Sequence, residues 1–166
     1  VSIAPFTTGK KGLSFLFWLR ADMINDGENT RVFDFSNGAS FYQLFLGFSN
    51  NGFYGGVAEN GCGGYFSAAT LSNEISINDN QWRHFAVIVK PDGYWQVYTN
   101  GVLSVTMFAG YPAPVQRKQN YLGKSATSND PYLNGLIDDF IMYNYIVSSS
   151  VIKAAYDRAP TGINSG

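Results

Sequence analysis

The sequence predicts an all-β fold, two packed antiparallel sheets with one short helix near the C-terminus. Three observations carry that prediction. Short apolar runs separated by Gly, Asn, Asp and Pro continue almost to the end of the chain. Aromatic residues make up 16% of the total, and aromatics favour pleated, half-buried surfaces. Asn100-Gly101 lies between two alternating runs, which is a strong hairpin signal because both central residues need positive φ.

The elements follow in order. Residues 13–20 place Phe15, Phe17 and Leu19 on one strand face, and Leu16 and Trp18 on the other. Strands are expected at 31–35 and 41–48, with Ser36-Asn37-Gly38 between them. Weaker, Gly-rich strands surround Phe53-Tyr54 and span 64–69, where glycine marks a bulge or a close backbone approach. A three-stranded meander occupies 82–89, 94–99 and 102–108, joined by Lys90-Pro91-Asp92-Gly93 and by Asn100-Gly101. Residues 119–124 and 136–145 complete the strands. Residues 148–158 read as a helix, capped by serine, with Val151, Ile152, Ala155 and Tyr156 on one side.

Composition narrows the function. At 166 residues the chain fits a single domain, 1–166, with no internal repeat, linker or low-complexity segment. Charged residues are only 14%, and the net charge is -1 without a basic run. That excludes an electrostatic footprint for nucleic acid or an anionic membrane surface. No apolar stretch approaches the roughly 20 residues of a membrane-spanning helix, so membrane insertion is not expected. Cys62 is the only cysteine, which rules out an internal disulfide and a thiolate metal cluster. A weakly charged surface rich in Asn, Ser, Gly and Tyr suggests an extracellular or cell-surface module, fused to or assembled with other domains.

Several segments resemble a known family. Gln-Trp-Arg-His-Phe-Ala-Val-Ile-Val-Lys-Pro-Asp-Gly at 81–93 is similar to the Trp-x-His-hydrophobic-Ala-Val strand of laminin G-like, concanavalin A-like domains. Val97-Tyr98-Thr99-Asn100-Gly101-Val102 resembles their Leu-Tyr-Val-Asn-Gly hairpin. Tyr121-Leu122-Gly123 resembles their Leu-x-Ile-Gly strand, and 133–143 their closing Phe-x-Gly-x-Ile-Asp-Glu-Val-x-Ile-Tyr strand. The four stand in the family's order and cover the C-terminal half. The resemblance implies a two-sheet antiparallel jelly-roll sandwich of the lectin and glucanase kind, used mostly to bind glycans or protein surfaces.

Catalysis finds little support in the residue pattern. Glycoside hydrolysis needs two carboxyls about 5 Å apart for retention, and somewhat more for inversion. With 12 acidic residues, no expected strand carries two at i and i+2; Glu74 and Asp79 are too far apart to share one. Asp138 and Asp139 are adjacent, so a regular strand points them to opposite faces. His84, the only histidine, shares parity with Trp82, Ala86 and Ile88, an apolar set that suits a structural role.

Binding is better represented. Trp95 and Val97 face one way, and Tyr94, Gln96 and Tyr98 the other. Aromatic rings stack on sugar CH faces while amides and carboxylates read hydroxyls, so the second face is one candidate glycan site. The loop edge expected to hold Tyr54, Tyr65, Tyr111, Asp130 and Tyr132 is the alternative. No cofactor is required. Calcium is a candidate ligand of the acidic loop with Asp22, Asp26 and Glu28, because Ca2+ takes several oxygen ligands. Asp138 joins that set because it shares parity with Phe140 and Met142, which by the resemblance point inward, and an inward carboxylate needs a partner. The expected partner is a glycan or a cell-surface glycoprotein. A protein-binding or architectural module is the alternative, and a divergent glycoside hydrolase the third.

Overall fold

A computed structural model of the chain describes residues 1–21, 30–39, 41–49, 52–59, 66–70 and 80–158. In chain order they form β1 (Phe6–Thr7), β2 (Leu13–Ala21), β3 (Thr30–Ser36), β4 (Gln43–Ser49), β5 (Gly52–Ala58) and β6 (Phe66–Thr70). The meander follows as β7 (Arg83–Val89), β8 (Tyr94–Thr99) and β9 (Val102–Phe108). Then come β10 (Gln116–Arg117), β11 (Gln119–Leu122), β12 (Gly135–Tyr143) and α1 (Ser149–Asp157). Two five-stranded antiparallel sheets result, ordered β11-β3-β4-β5-β6 and β12-β2-β7-β8-β9. The jelly-roll sandwich expected from the sequence is what forms.

The core lies between these sheets. Phe15, Phe17 and Leu19 of β2 are buried there with Phe33 and Phe35 of β3, Phe53 of β5, and Phe85 of β7. Phe15 meets Phe33 with ring centroids 4.7 Å apart, and Phe53 meets Phe85 edge-on at the same separation. Each large apolar side chain buried contributes roughly 1.5–3 kcal/mol, so this aromatic layer dominates the favourable side of folding. Trp95 is fully buried among them, and its indole N–H donates to the Gly110 carbonyl at 2.7 Å.

Strand β2 is apolar on both faces because both are covered. Its other face carries Leu16, which packs with Ala86, Ile88, Val147 and Ile152 in a second, smaller cluster. Helix α1 supplies Ile152. Trp18 stacks on Tyr156 of the same helix, with centroids 5.9 Å apart. Ser148 caps α1 by accepting from the Val151 amide. Val151, expected on the packed side, is 42% exposed, so the apolar stripe is narrower than its sequence suggests.

The hairpin forms as expected, with φ of 50° at Asn100 and 79° at Gly101. Asn100 also accepts from the His84 amide through its side-chain oxygen at 3.0 Å, tying the turn back to β7. His84 itself is buried against Trp18, at a centroid distance of 5.4 Å.

One small sheet was not legible in the sequence. Strands β1 and β10 pair over only two residues each. Beside them Arg117 is fully buried, donating from Nε to the Tyr42 carbonyl at 2.7 Å and from Nη1 to Thr8 Oγ1 and the Ala113 carbonyl, both at 3.1 Å. Burial pulls its pKa down to about 10, against the opposing charge of Glu59. Among the described residues its hydrogen bonds go to carbonyls and a hydroxyl, which no strand periodicity could announce.

Asp138 does not point inward. Strand β12 shifts register against β2 between Asp138 and Ile141, and Asp139 adopts a φ of 48°. A bulge of this kind inserts a residue and resets the alternation. Ile137, Phe140 and Met142 therefore pack on the core, while Asp138 and Asp139 are both exposed. The expectation of opposite faces for the two carboxylates fails for the same reason.

Candidate functional site

The polar groups that the fold brings together lie on the outer face of the β11-β3-β4-β5-β6 sheet. Alternation along β3 buries Phe33 and Phe35 in the core and leaves Asp34 on the outer face. A register shift between Arg31 and Phe33 brings Arg31 opposite Gly47 of β4, which in turn lies opposite Tyr54 of β5. Gly47 has a steric reason: a Cβ there would come within 2.9 Å of the Tyr54 phenol and 2.5 Å of the Thr30 carbonyl. With that space open, the Arg31 guanidinium lies 4.4 Å from the Phe45 ring centroid and 5.1 Å from that of Tyr54.

Two carboxylates reach this cation. Arg31 Nε stands 3.7 Å from Asp34 Oδ2, and Nη2 stands 3.6 Å from Asp130 Oδ2. These are ion pairs too long to count as hydrogen bonds. Asp34 Oδ2 instead accepts from Gln43 Nε2 at 2.6 Å, the Ala126 amide at 3.1 Å and the Ser125 hydroxyl at 3.3 Å. Burial pushes the Asp34 carboxyl above its ordinary pKa, opposed by the Ala126 amide, Gln43, Arg31 and Ser125. Burial likewise lowers the Arg31 pKa, against the pull of Asp34 and Asp130. Among the described residues, Arg31 Nε and Nη1, Asp34 Oδ1 and the Tyr54 hydroxyl are buried without a hydrogen-bond partner.

Beyond this buried base the surface becomes open and aromatic. Tyr121 of β11 stands opposite Asp34 on the neighbouring strand. The Lys124 ammonium lies 4.9 Å from the Tyr121 ring centroid and 5.8 Å from that of Tyr132. Tyr132 is 71% exposed. It forms one wall of a cleft of about 350 Å³ where the ends of β11 and β12 meet, lined also by Leu122, Leu133, Leu136, Asp138 and Asp139. The Asp139 amide donates to Asp138 Oδ1 at 2.8 Å. Among the described residues, neither carboxylate has a cationic partner.

The expected site residues therefore separate. Tyr54 and Asp130 meet on Arg31, and Tyr132 and Asp138 meet at the cleft. Tyr111 lies apart, packed on the core, its hydroxyl donating to the Gly9 carbonyl at 2.6 Å and accepting from the Gly12 amide. On the other candidate face, Tyr94 is exposed and Gln96 half-buried, but Tyr98 packs into the cluster under α1. Tyr65, Asp22, Asp26 and Glu28 lie outside the described residues. Sequence reasoning missed Arg31, Asp34, Gln43, Tyr121, Lys124 and Asp139. The available signal was a pair of opposite charges inside the apolar run 31–35.

A family model described as the concanavalin A-like lectin/glucanases superfamily matches residues 1–153. The chain belongs to that family. No curated protein matches its sequence. Among solved structures, this member of the concanavalin A-like superfamily is similar to domain 4 of AbnA, an extracellular arabinanase from Geobacillus stearothermophilus, solved with arabinotriose. That likeness has 17% identity and a TM-score of 0.68, over 93% of this chain and 71% of that one. It is also similar to botulinum neurotoxin type C, whose cell entry depends on interaction with two ganglioside molecules (15% identity, TM-score 0.60, 90% of this chain). The binding domain of Paraclostridial Mosquitocidal Protein 1 matches at 14% identity and a TM-score of 0.60. The chain spans only 36% of the botulinum chain and 37% of the mosquitocidal one. At these identities the likenesses speak for the shared fold.

Proposed function

We propose that this domain is a carbohydrate-binding module without catalysis of its own, and that its glycan sits in the cleft walled by Tyr132. The observation that carries this reading is a concave, mostly apolar cleft with an exposed aromatic ring and two uncompensated carboxylates at its rim. The Tyr132 ring offers a stacking surface for sugar CH groups. Asp138 and Asp139 accept from hydroxyls, and Lys124 donates. A volume of about 350 Å³ is near the lower end for ligand sites, so it suits one or two sugar rings. The AbnA domain solved with arabinotriose supports the same reading by analogy of fold.

Binding should be weak, because a small open cleft buries little ligand surface to offset the cost of immobilisation. Dissociation constants of micromolar to millimolar, about 4 to 8 kcal/mol, are expected. A panel of neutral pentose and hexose oligosaccharides, titrated while the amide spectrum is followed by NMR, tests the proposal. Tyr132→Ala should weaken binding by about tenfold or more, the loss of one stacked ring, with the melting temperature unchanged. Tyr98→Ala should do the reverse, since Tyr98 packs beneath α1. Absence of binding across the panel would reject the reading. We also assign the domain to the cell exterior, as a part of a larger protein. Calcium would have to rely on Asp22, Asp26 and Glu28, since Asp138 belongs to the cleft; a melting curve with and without calcium tests that.

A second reading, a protein-binding or architectural module, is favoured by one feature. Tyr94 and Phe108, 46% and 54% exposed, stand opposite each other at one end of the β8–β9 pair with ring centroids 5.6 Å apart. Apolar patches of this kind mark contact surfaces. Sedimentation of the wild type against Phe108→Ser would show whether the patch drives association.

A further inference from the structure

Residues 124–132 carry both Lys124 and Tyr132, so whatever holds this segment holds the wall of the cleft. Its neck is closed by the Leu133 amide donating to the Gly123 carbonyl at 2.9 Å. Within it, the Thr127 amide donates to Ser125 Oγ and the Asp130 amide to the Thr127 carbonyl. The neck is placed on β3 by the Gly123 amide, which donates to the Val32 carbonyl at 2.9 Å. Placement of the rest falls to its own ties with the sheet. Among the described residues, every polar tie from 125–130 to the sheet ends on one of two β3 side chains: Ser125 and Ala126 on Asp34, and Asp130 on Arg31.

These two side chains are unusually committed to the task. Asp34 is fully buried and Arg31 is 6% exposed, and a buried ion pair rarely stabilises a fold more than apolar residues of the same volume would. Among the described residues each also leaves a polar atom without a hydrogen-bond partner, Asp34 Oδ1 and Arg31 Nε among them. A cluster serving stability alone would not keep such costs. What directional bonds provide and apolar packing does not is a fixed position for the segment they hold.

We infer that Asp34, backed by Arg31, is a positioning residue that latches residues 124–132 onto the sheet and thereby sets Tyr132 at the cleft, with Lys124 beside its ring. The two residues lie about ninety positions from the segment they hold, so the latch is a purely tertiary device. The groups facing Asp34 are Arg31 on its own strand, Gln43 on β4, Ser125 and the Ala126 amide on the segment, and Asp130 through Arg31. The consequence for affinity rests on the glycan reading above, but the latch itself does not.

Amide hydrogen exchange separates the two. In Asp34→Ala the Ala126 and Thr127 amides should exchange at least about tenfold faster, the loss expected for hydrogen bonds to a charged group, while β2 and β7 amides keep their wild-type rates. Asp34→Asn retains an acceptor oxygen and should restore Ala126 protection to within about threefold. Affinity for the best neutral glycan should follow the same order: wild type, then Asn, then Ala. If Asp34→Ala does not fold, Ser125→Ala removes one donor from the surface side and should speed Ala126 exchange several-fold. Unchanged exchange at Ala126 in the variant that folds overturns the latch. So does a uniform acceleration of all amides, which is the mark of a residue serving global stability. Wild-type protein that binds no glycan sinks the proposed function and leaves the exchange result to decide the latch.

Discussion

The two sheets are covered on their outer faces by different means. Over β12-β2-β7-β8-β9 the cover is helix α1, which sets Ile152 against Leu16, Ala86 and Ile88. Over β11-β3-β4-β5-β6 it is, among the described residues, an irregular segment held by Asp34 and Arg31. The first cover is apolar and its energy depends on area, so small shifts of the helix cost little. The second depends on hydrogen-bond geometry that weakens steeply off-angle. The difference teaches that the polar cover, although more costly, is the one suited to holding a binding wall.

Three perturbations test that contrast. The largest effect is expected from Arg31→Met, which takes the cation away from the buried Asp34 carboxyl. Urea unfolding should show a loss of about 3–5 kcal/mol, with glycan affinity falling as well. Replacing both partners, Arg31→Met with Asp34→Leu, should recover most of the stability and none of the affinity. Recovery of both would remove the distinction between the two faces.

Next comes Ile152→Ala on the helical side. Ile152 is fully buried, so the cavity should cost about 2–4 kcal/mol. Its glycan affinity should remain wild type, because Ile152 packs on Leu16, Ala86 and Ile88, none of which lines the cleft. A loss of affinity comparable to that of Arg31→Met would show that the faces are coupled.

The smallest effect is a pH slope with opposite signs on the two faces. Burial holds the His84 pKa down, from 6.5 to about 4. Between those values the unfolded chain binds a proton that the native one refuses. His84 therefore costs stability as the pH falls, and the full stability is present above the unfolded value. The loss between pH 7 and pH 4 should be on the order of 2 kcal/mol, and His84→Leu should abolish it. Asp34 acts in reverse. Its raised pKa means that stability is lost as the pH rises from the ordinary 3.8 through the native value above it. Melting temperatures of His84→Leu and Asp34→Asn across that range should bend in opposite directions from the wild type.

Much of the fold could be read before any coordinates. The meander strands at 94–99 and 102–108 match their observed bounds, Tyr94–Thr99 and Val102–Phe108, and the Asn100-Gly101 turn has the positive φ values expected of it. Helix α1 begins where its serine cap implies. The site was legible only in pieces. Tyr54, Asp130 and Tyr132 were singled out, yet Arg31 and Lys124, which join them, were not. Tyr111 has the same residue type as Tyr132 and a different fate, because its hydroxyl is taken up by Gly9 and Gly12.

What the sequence by itself determined is everything governed by neighbours within a few residues. Alternating side chains choose strand over helix, Asn-Gly selects a tight turn, and a serine at the right place starts a helix. The family motifs belong to the same class, being runs of adjacent residues. What only the tertiary structure decided depends on contacts between distant segments. The bulge in β12 reversed Asp138 and put it at a cleft rather than in the core. Arg31 met Asp130 across about a hundred residues of chain, and Arg117 found the carbonyls of Tyr42 and Ala113. Alternation is a property of one strand, whereas the partner of a buried charge is set by which strands lie side by side.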